Sequence, residues 1–146
     1  MDFDAQVRQA VYRFFAEHAR PPVPAEVAAD VGADQRAVEE SFRRLADGHV
    51  LVLAPGTPYV WMANPFSAIP TPFRVEVAGR KYFGNCVWDA LGIVAMLGES
   101  GAVQTWCPDC GEPQRVGVHD GRLVEGDGVV RYAVPAARWW DDIGFN

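Results

Sequence analysis

Apolar residues recur at helical spacing over residues 4–18. Val7, Ala10, Val11, Phe14 and Phe15 form one face, with Gln6, Gln9, Arg13 and Glu17 between them. Pro21, Pro22 and Pro24 stop this helix and introduce a second, Ala25 to Val31. Gly32-Ala33 makes a tight turn, and Asp34 is a good N-cap for a third helix, which runs to about Asp47 with Val38, Phe42 and Leu45 inward. Gly48 ends it. Val50–Leu53, a turn at Pro55-Gly56-Thr57-Pro58, and Tyr59–Met62 then read as a β-hairpin. Ala63 to Pro72 holds Pro65, Pro70 and Pro72 and reads as a linker.

Beyond the linker, Phe73–Val77 alternates as a strand and Ala78-Gly79-Arg80 turns the chain. From Cys86 to Leu97 the pattern is apolar on every side, which predicts a buried helix, with Asn85 as N-cap and Cys86 in the first turn. Ala102–Trp106 and Gln114–Val118 read as two strands around Cys107-Pro108-Asp109-Cys110-Gly111. The turn His119–Arg122 and short strands near Leu123-Val124 and Val129–Val134 follow. The fold class implied is α+β. A winged-helix-like three-helix unit covers residues 1–64, and a unit with a buried helix and small antiparallel sheets covers residues 73–146.

Charge narrows the partners. Thirteen Lys and Arg face nineteen Asp and Glu, a net charge of -6. That balance argues against nucleic acid or an anionic membrane as the main partner. A winged-helix pattern suggests DNA binding through the third helix. Here that helix carries Asp34, Glu39, Glu40 and Asp47 against Arg36, Arg43 and Arg44, with no basic surplus to neutralise phosphates. No apolar run is long enough to span a bilayer. The start, Met1-Asp2-Phe3-Asp4, lacks the pattern of a signal peptide, so a cytoplasmic location is expected. The pattern assigns no oligomeric state.

Two places carry chemistry. Cys86 and Asp89 lie one helical turn apart on one face. A thiol at a helix N-terminus is expected to have a lowered pKa, making Cys86 the most reactive cysteine. A carboxyl group in apolar surroundings is costly unless paired or protonated. The pair reads as a nucleophile or metal ligand beside a proton carrier, or else as a small buried Cys with an Asp bonded to nearby backbone N–H groups. Cys107 and Cys110 form a single CxxC, the turn of a zinc knuckle. With no second CxxC, a metal site would draw on Cys86, Cys107 and Cys110, with His119 as a further candidate, to hold a soft metal ion such as copper, or zinc. The alternative is a β-turn whose cysteines pack inward. No cofactor is required by the pattern. An odd number of cysteines, three, suits thiols in a reducing compartment. His18 and His49 read as surface or helix-end residues. Trp139 and Trp140 with Asp141-Asp142 could line a pocket.

The order of these parts, with FGNCVWDALGIVAMLG followed by a strand carrying TWCPDCGEP, resembles the organomercurial (alkylmercury) lyases. The resemblance is specific from about Phe83 to Gly111. It implies an α+β fold and a thiol and carboxylate, here Cys86 and Asp89, that break a carbon–mercury bond by protonolysis. It implies a structural role for Cys107. The family's second catalytic cysteine is expected in or just beyond Trp139 to Phe145, where this sequence holds none, so the chain reads as a divergent or shortened member. The substrate implied is a small organometallic or thiol-reactive compound. The alternatives are a non-catalytic soft-metal-binding protein and a winged-helix regulator.

Overall fold

The first forty-seven residues form three helices whose ends follow from their sequence. In the computed structural model, which describes residues 1–98 and 100–145, α1 spans Phe3–His18, α2 Pro24–Val31 and α3 Gln35–Asp47. The Asp2 carboxylate caps α1 by accepting the Ala5 N–H at 2.8 Å, and Asp34 caps α3 through Arg36 N–H at 2.6 Å. Pro24 occupies the first turn of α2, where its missing N–H costs nothing. The inward positions Val7, Ala10, Val11, Phe15, Val38, Phe42 and Leu45 are buried as the periodicity requires. Phe14 is half-buried, with the Arg20 guanidinium over its ring. The one buried polar residue of α3, Ser41, donates to Asp4 at 2.6 Å, and Arg44 grips the same carboxylate, holding Asp4 down to about 2.

Two antiparallel sheets follow. The first orders β1 (Val52–Leu53), β2 (Val60–Ala63) and β3 (Phe66–Ser67). The hairpin lies where alternation placed it, but β3 falls inside the segment read as a linker. Phe66 is the reason: its ring stacks on Phe15 of α1 at 5.1 Å and lies 5.7 Å from Tyr82, so burying it draws the chain into the sheet. The peptide bond Asn64–Pro65 just before it is cis.

The second sheet has the order β5-β4-β6-β7-β8, antiparallel throughout. Its strands are β4 (Arg74–Val77), β5 (Arg80–Phe83), β6 (Gly101–Trp106), β7 (Pro113–His119) and β8 (Arg122–Glu125). Ala78-Gly79 and Asp120-Gly121 form two-residue turns with positive φ at both positions, the geometry that matches strand twist. The expected strand near Val129–Val134 is absent. That stretch runs without regular structure, and a 3-10 helix, Ala136–Asp141, comes after it.

Helix α4 (Val87–Leu97) packs on β4 and β6. It is not buried all round, as its composition predicts. Ala90, Ile93 and Val94 are buried against the sheet, whereas Trp88 is 66% and Met96 50% exposed. The sheet covers one side only, so the apolar residues of the other side need a different explanation. Gly84 sets where the helix begins: a Cβ there would lie 2.6 Å from Ala90 N. Only glycine permits this approach.

One hydrophobic cluster runs from Val7 of α1 through Phe66 and Tyr82 to Val103 of β6. The Tyr82 hydroxyl donates to Ala16 O at 2.7 Å, which ties β5 to α1. Among the described residues no helix is long and apolar enough to cross a membrane.

Candidate functional site

The start of α4 faces a cavity of about 1020 Å³ whose walls include Asn85, Cys86, Asp89, Trp106, Cys107 and Tyr132. Trp88 lines it as well, which accounts for an apolar side chain left outside the core. The lining also draws on the irregular stretch after β8 and on residues 143–145. Gly144 lies flat against Trp61 there, since a Cβ would come within 2.7 Å of the Trp61 ring. Trp139 belongs to the lining and Trp140 does not: Trp140 stacks on His49 at 4.0 Å.

Cys86 is the N-cap residue of α4 rather than a member of its first turn, with extended φ and ψ of -144° and -178°. The preceding residue, expected as the cap, does other work. Asn85 Nδ2 donates to Asn64 Oδ1 at 2.9 Å and to Phe66 O at 3.3 Å, with Pro65 O at 3.5 Å, and reaches Asp89 Oδ2 at 3.1 Å. One amide thus joins the β2–β3 connection to the carboxylate. Its own Oδ1 is buried and takes no hydrogen bond. Tyr12 of α1 supports the same corner by donating to Asn64 O at 2.9 Å.

Burial sets the protonation of this corner. It pushes the Cys86 thiol up, although the backbone N–H groups of Asp89 and Trp88 bond to the sulfur and pull the other way. The Asp89 charge adds to the upward shift. Burial likewise raises Asp89, against the stabilising bond from Asn85. The lowered thiol expected from the helix N-terminus is therefore overturned: desolvation exceeds the helix-end contribution. Burial thus shifts each group toward its neutral form relative to water. Tyr132, which shares the lining, is also raised, first by burial and then by the charges of Cys86 and Asp89.

The lowered thiol is Cys107. Its sulfur accepts the N–H of Cys110 and of Asp109, and the Cys110 thiol also donates to it. All three cysteines are free. Cys86 and Cys107 line the cavity, and Cys110 is exposed and outside the lining. The proposed three-cysteine metal site is not assembled: among the described residues no group of three or more His, Cys, Asp or Glu side chains could hold a metal ion. His119 is the far end of β7 from the CxxC turn, six strand steps or roughly 20 Å away. It bonds instead with Ser100 at 3.0 Å and pairs with Asp120. His18 and His49 lie at the ends of α1 and α3.

Asn85, Asn64, Tyr12 and Tyr132 were not legible as site residues. Asn85 carried the one available signal, a polar residue directly before the cysteine, and it was spent on a cap.

With a thiol and a carboxyl at the start of α4, packed on an antiparallel sheet and open to the cavity, the chain carries a thiol–carboxyl site. Residues 66–145, more than half of the chain, match the family model described as alkylmercury lyase, and the chain belongs to that family. Its fold is similar to that in the crystal structure of the mercury-bound form of MerB2, with a TM-score of 0.67 and 20% identity. The match covers 83% of this chain and 59% of that one, so this chain spans less than two thirds of its neighbour's length. No curated protein matches the sequence.

Proposed function

We propose that the protein cleaves carbon–mercury bonds at Cys86 and Asp89. The carrying observation is that this thiol and this carboxyl, one turn apart at the start of α4, open together onto a cavity large enough for a small organomercurial. Family membership and the MerB2 likeness support the substrate class.

The residues suit a protonolysis. The substrate is an organic group on mercury, with a low-molecular-weight thiolate as the metal's other ligand. The Cys86 sulfur bonds to mercury and its proton passes to Asp89. Asp89 then hands that proton to the carbon, the carbon–mercury bond breaks, and hydrocarbon leaves. Mercury(II) remains between Cys86 and the small thiolate, with no change of oxidation state. A soft metal prefers thiolate sulfur. A carboxyl raised by burial holds the proton more tightly than an ordinary one, which suits it to relay rather than lose it to solvent. Asn85 keeps the carboxyl turned toward the helix start. The arginines of α3 are engaged with carboxylates, Arg36 with Glu40, Arg43 with Glu39 and Arg44 with Asp4, which favours a small-molecule role over nucleic-acid binding.

The test is hydrocarbon release. Purified protein with phenylmercury and excess monothiol should liberate benzene, measured by gas chromatography. Release no faster than with Cys86→Ser would end this reading.

A further inference from the structure

The hairpin turn between β6 and β7 contains two thiols that the protonolysis does not use. Cys107 N–H donates to Glu112 O and Gly111 N–H to Cys107 O, both at 2.8 Å, which closes the turn tightly. Gly111, at φ +75°, supplies the left-handed residue such a turn requires. The Asp109 and Cys110 N–H groups point at the Cys107 sulfur, and the Cys110 thiol is in hydrogen-bond contact with it. This is the half-site that metal knuckles build from a CxxC. A four-ligand ion finds two ligands here. A linear two-coordinate soft ion needs no more.

The turn's position gives it a direction. Cys107 lies on the wall of the cavity that holds Cys86, and Cys110 is exposed outside it. We propose that Cys107 and Cys110 form a second mercury site, a two-thiolate receiver at the cavity rim that takes the inorganic mercury(II) left on Cys86 and presents it to solution.

The exchange balances. Mercury bound between Cys86 and a small thiolate moves to Cys107 and Cys110. Two mercury–sulfur bonds break and two form. The two protons released by Cys107 and Cys110 go to Cys86 and to the departing thiolate, and mercury stays in the +2 state. The site would clear Cys86 for another turnover. This inference takes its source of mercury from the lyase reading, but the site itself is testable without it.

The full-length chain is loaded with one equivalent of mercuric chloride and titrated with a monothiol, and retained metal is measured. Peptide mapping by mass spectrometry locates it. Wild type and Cys86→Ser should retain mercury equally, on the peptide containing Cys107 and Cys110. Cys110→Ser should lose it at a monothiol concentration lower by on the order of a hundredfold, the advantage of an intramolecular second ligand. Cys110 is exposed, so this variant leaves the core untouched. Circular dichroism of Cys110→Ser checks its fold, and Cys107→Ser should reproduce the loss. Retention by Cys110→Ser equal to wild type, or loss in Cys86→Ser, would overturn the proposal. Benzene release is a separate readout. Its absence with retention intact sinks the lyase reading and spares the site, and release with no rim retention does the reverse.

Discussion

Replacing Asp89 by Asn separates a proton carrier from a structural anchor. The carboxylate accepts one side-chain bond, from Asn85 Nδ2 at 3.1 Å. A rotated Asn can offer its carbonyl oxygen to that donor, so the bond survives as a neutral one. A bond to a charged group contributes about 1.5–3 kcal/mol and a neutral one about 0.5–1.5, so the substitution costs about 1 kcal/mol there. Removing a partly buried charge acts in the other direction, and the net change should stay within about 1 kcal/mol. The pH dependence carries the sign. Burial raises Asp89 in the folded chain, so the folded state keeps this proton to higher pH than the unfolded state does. The stability it provides is complete below the ordinary carboxyl pKa of about 4 and is lost as pH rises through the higher native value. Asn loses nothing over that range. Urea unfolding of both proteins from pH 4 to pH 8 should therefore show the variant gaining on wild type as pH rises. Benzene release should fall by roughly a hundredfold or more, the scale of general acid–base catalysis. A loss above about 2 kcal/mol at every pH, with release unchanged, would make Asp89 an anchor and refute the mechanism.

Two further predictions rest on the same corner. Gly84→Ala puts a methyl group 2.6 Å from Ala90 N and should destabilise the fold by about 1–3 kcal/mol, with benzene release falling more steeply than folded population because Cys86 shifts with the helix; chemical denaturation and release assayed together check this, and a stability-neutral variant would contradict the close approach. Limited alkylation at pH 7 with peptide mapping should label Cys107 before Cys86, since backbone N–H bonds lower the first and burial raises the second; the opposite order would restore the helix-end argument.

Where local pattern and tertiary packing agreed, the sequence was readable. Asp34 before a periodic apolar run marked the start of α3, and Gly48 marked its end. β3 was hidden because two residues beside a proline carry no alternation; only the Phe66 ring, packing on a helix some fifty positions earlier, makes it a strand. β5 was hidden by Arg80 and Lys81, whose charges mask a pairing imposed by the turn before it. For α4, composition gave the helix and misjudged its burial, because an apolar cavity wall and a core face look alike in sequence. Cys86 and Asp89 were legible as a pair. Their protonation was not, since it depends on what covers them.

The contact between Phe15 and Phe66 also bears on how relatives of this protein can be compared or recombined. The matched family region opens at Phe66, the very ring that seals against α1. A cut made at the start of that match would run through a packed aromatic seam, and Tyr82 would lose its Ala16 acceptor at the same stroke. The span of the family match and the unit that excludes water differ here. Grafting the matched region onto another helical segment would require matching that seam, along with the Tyr12 support beneath Asn64, before any residue of the site itself was changed.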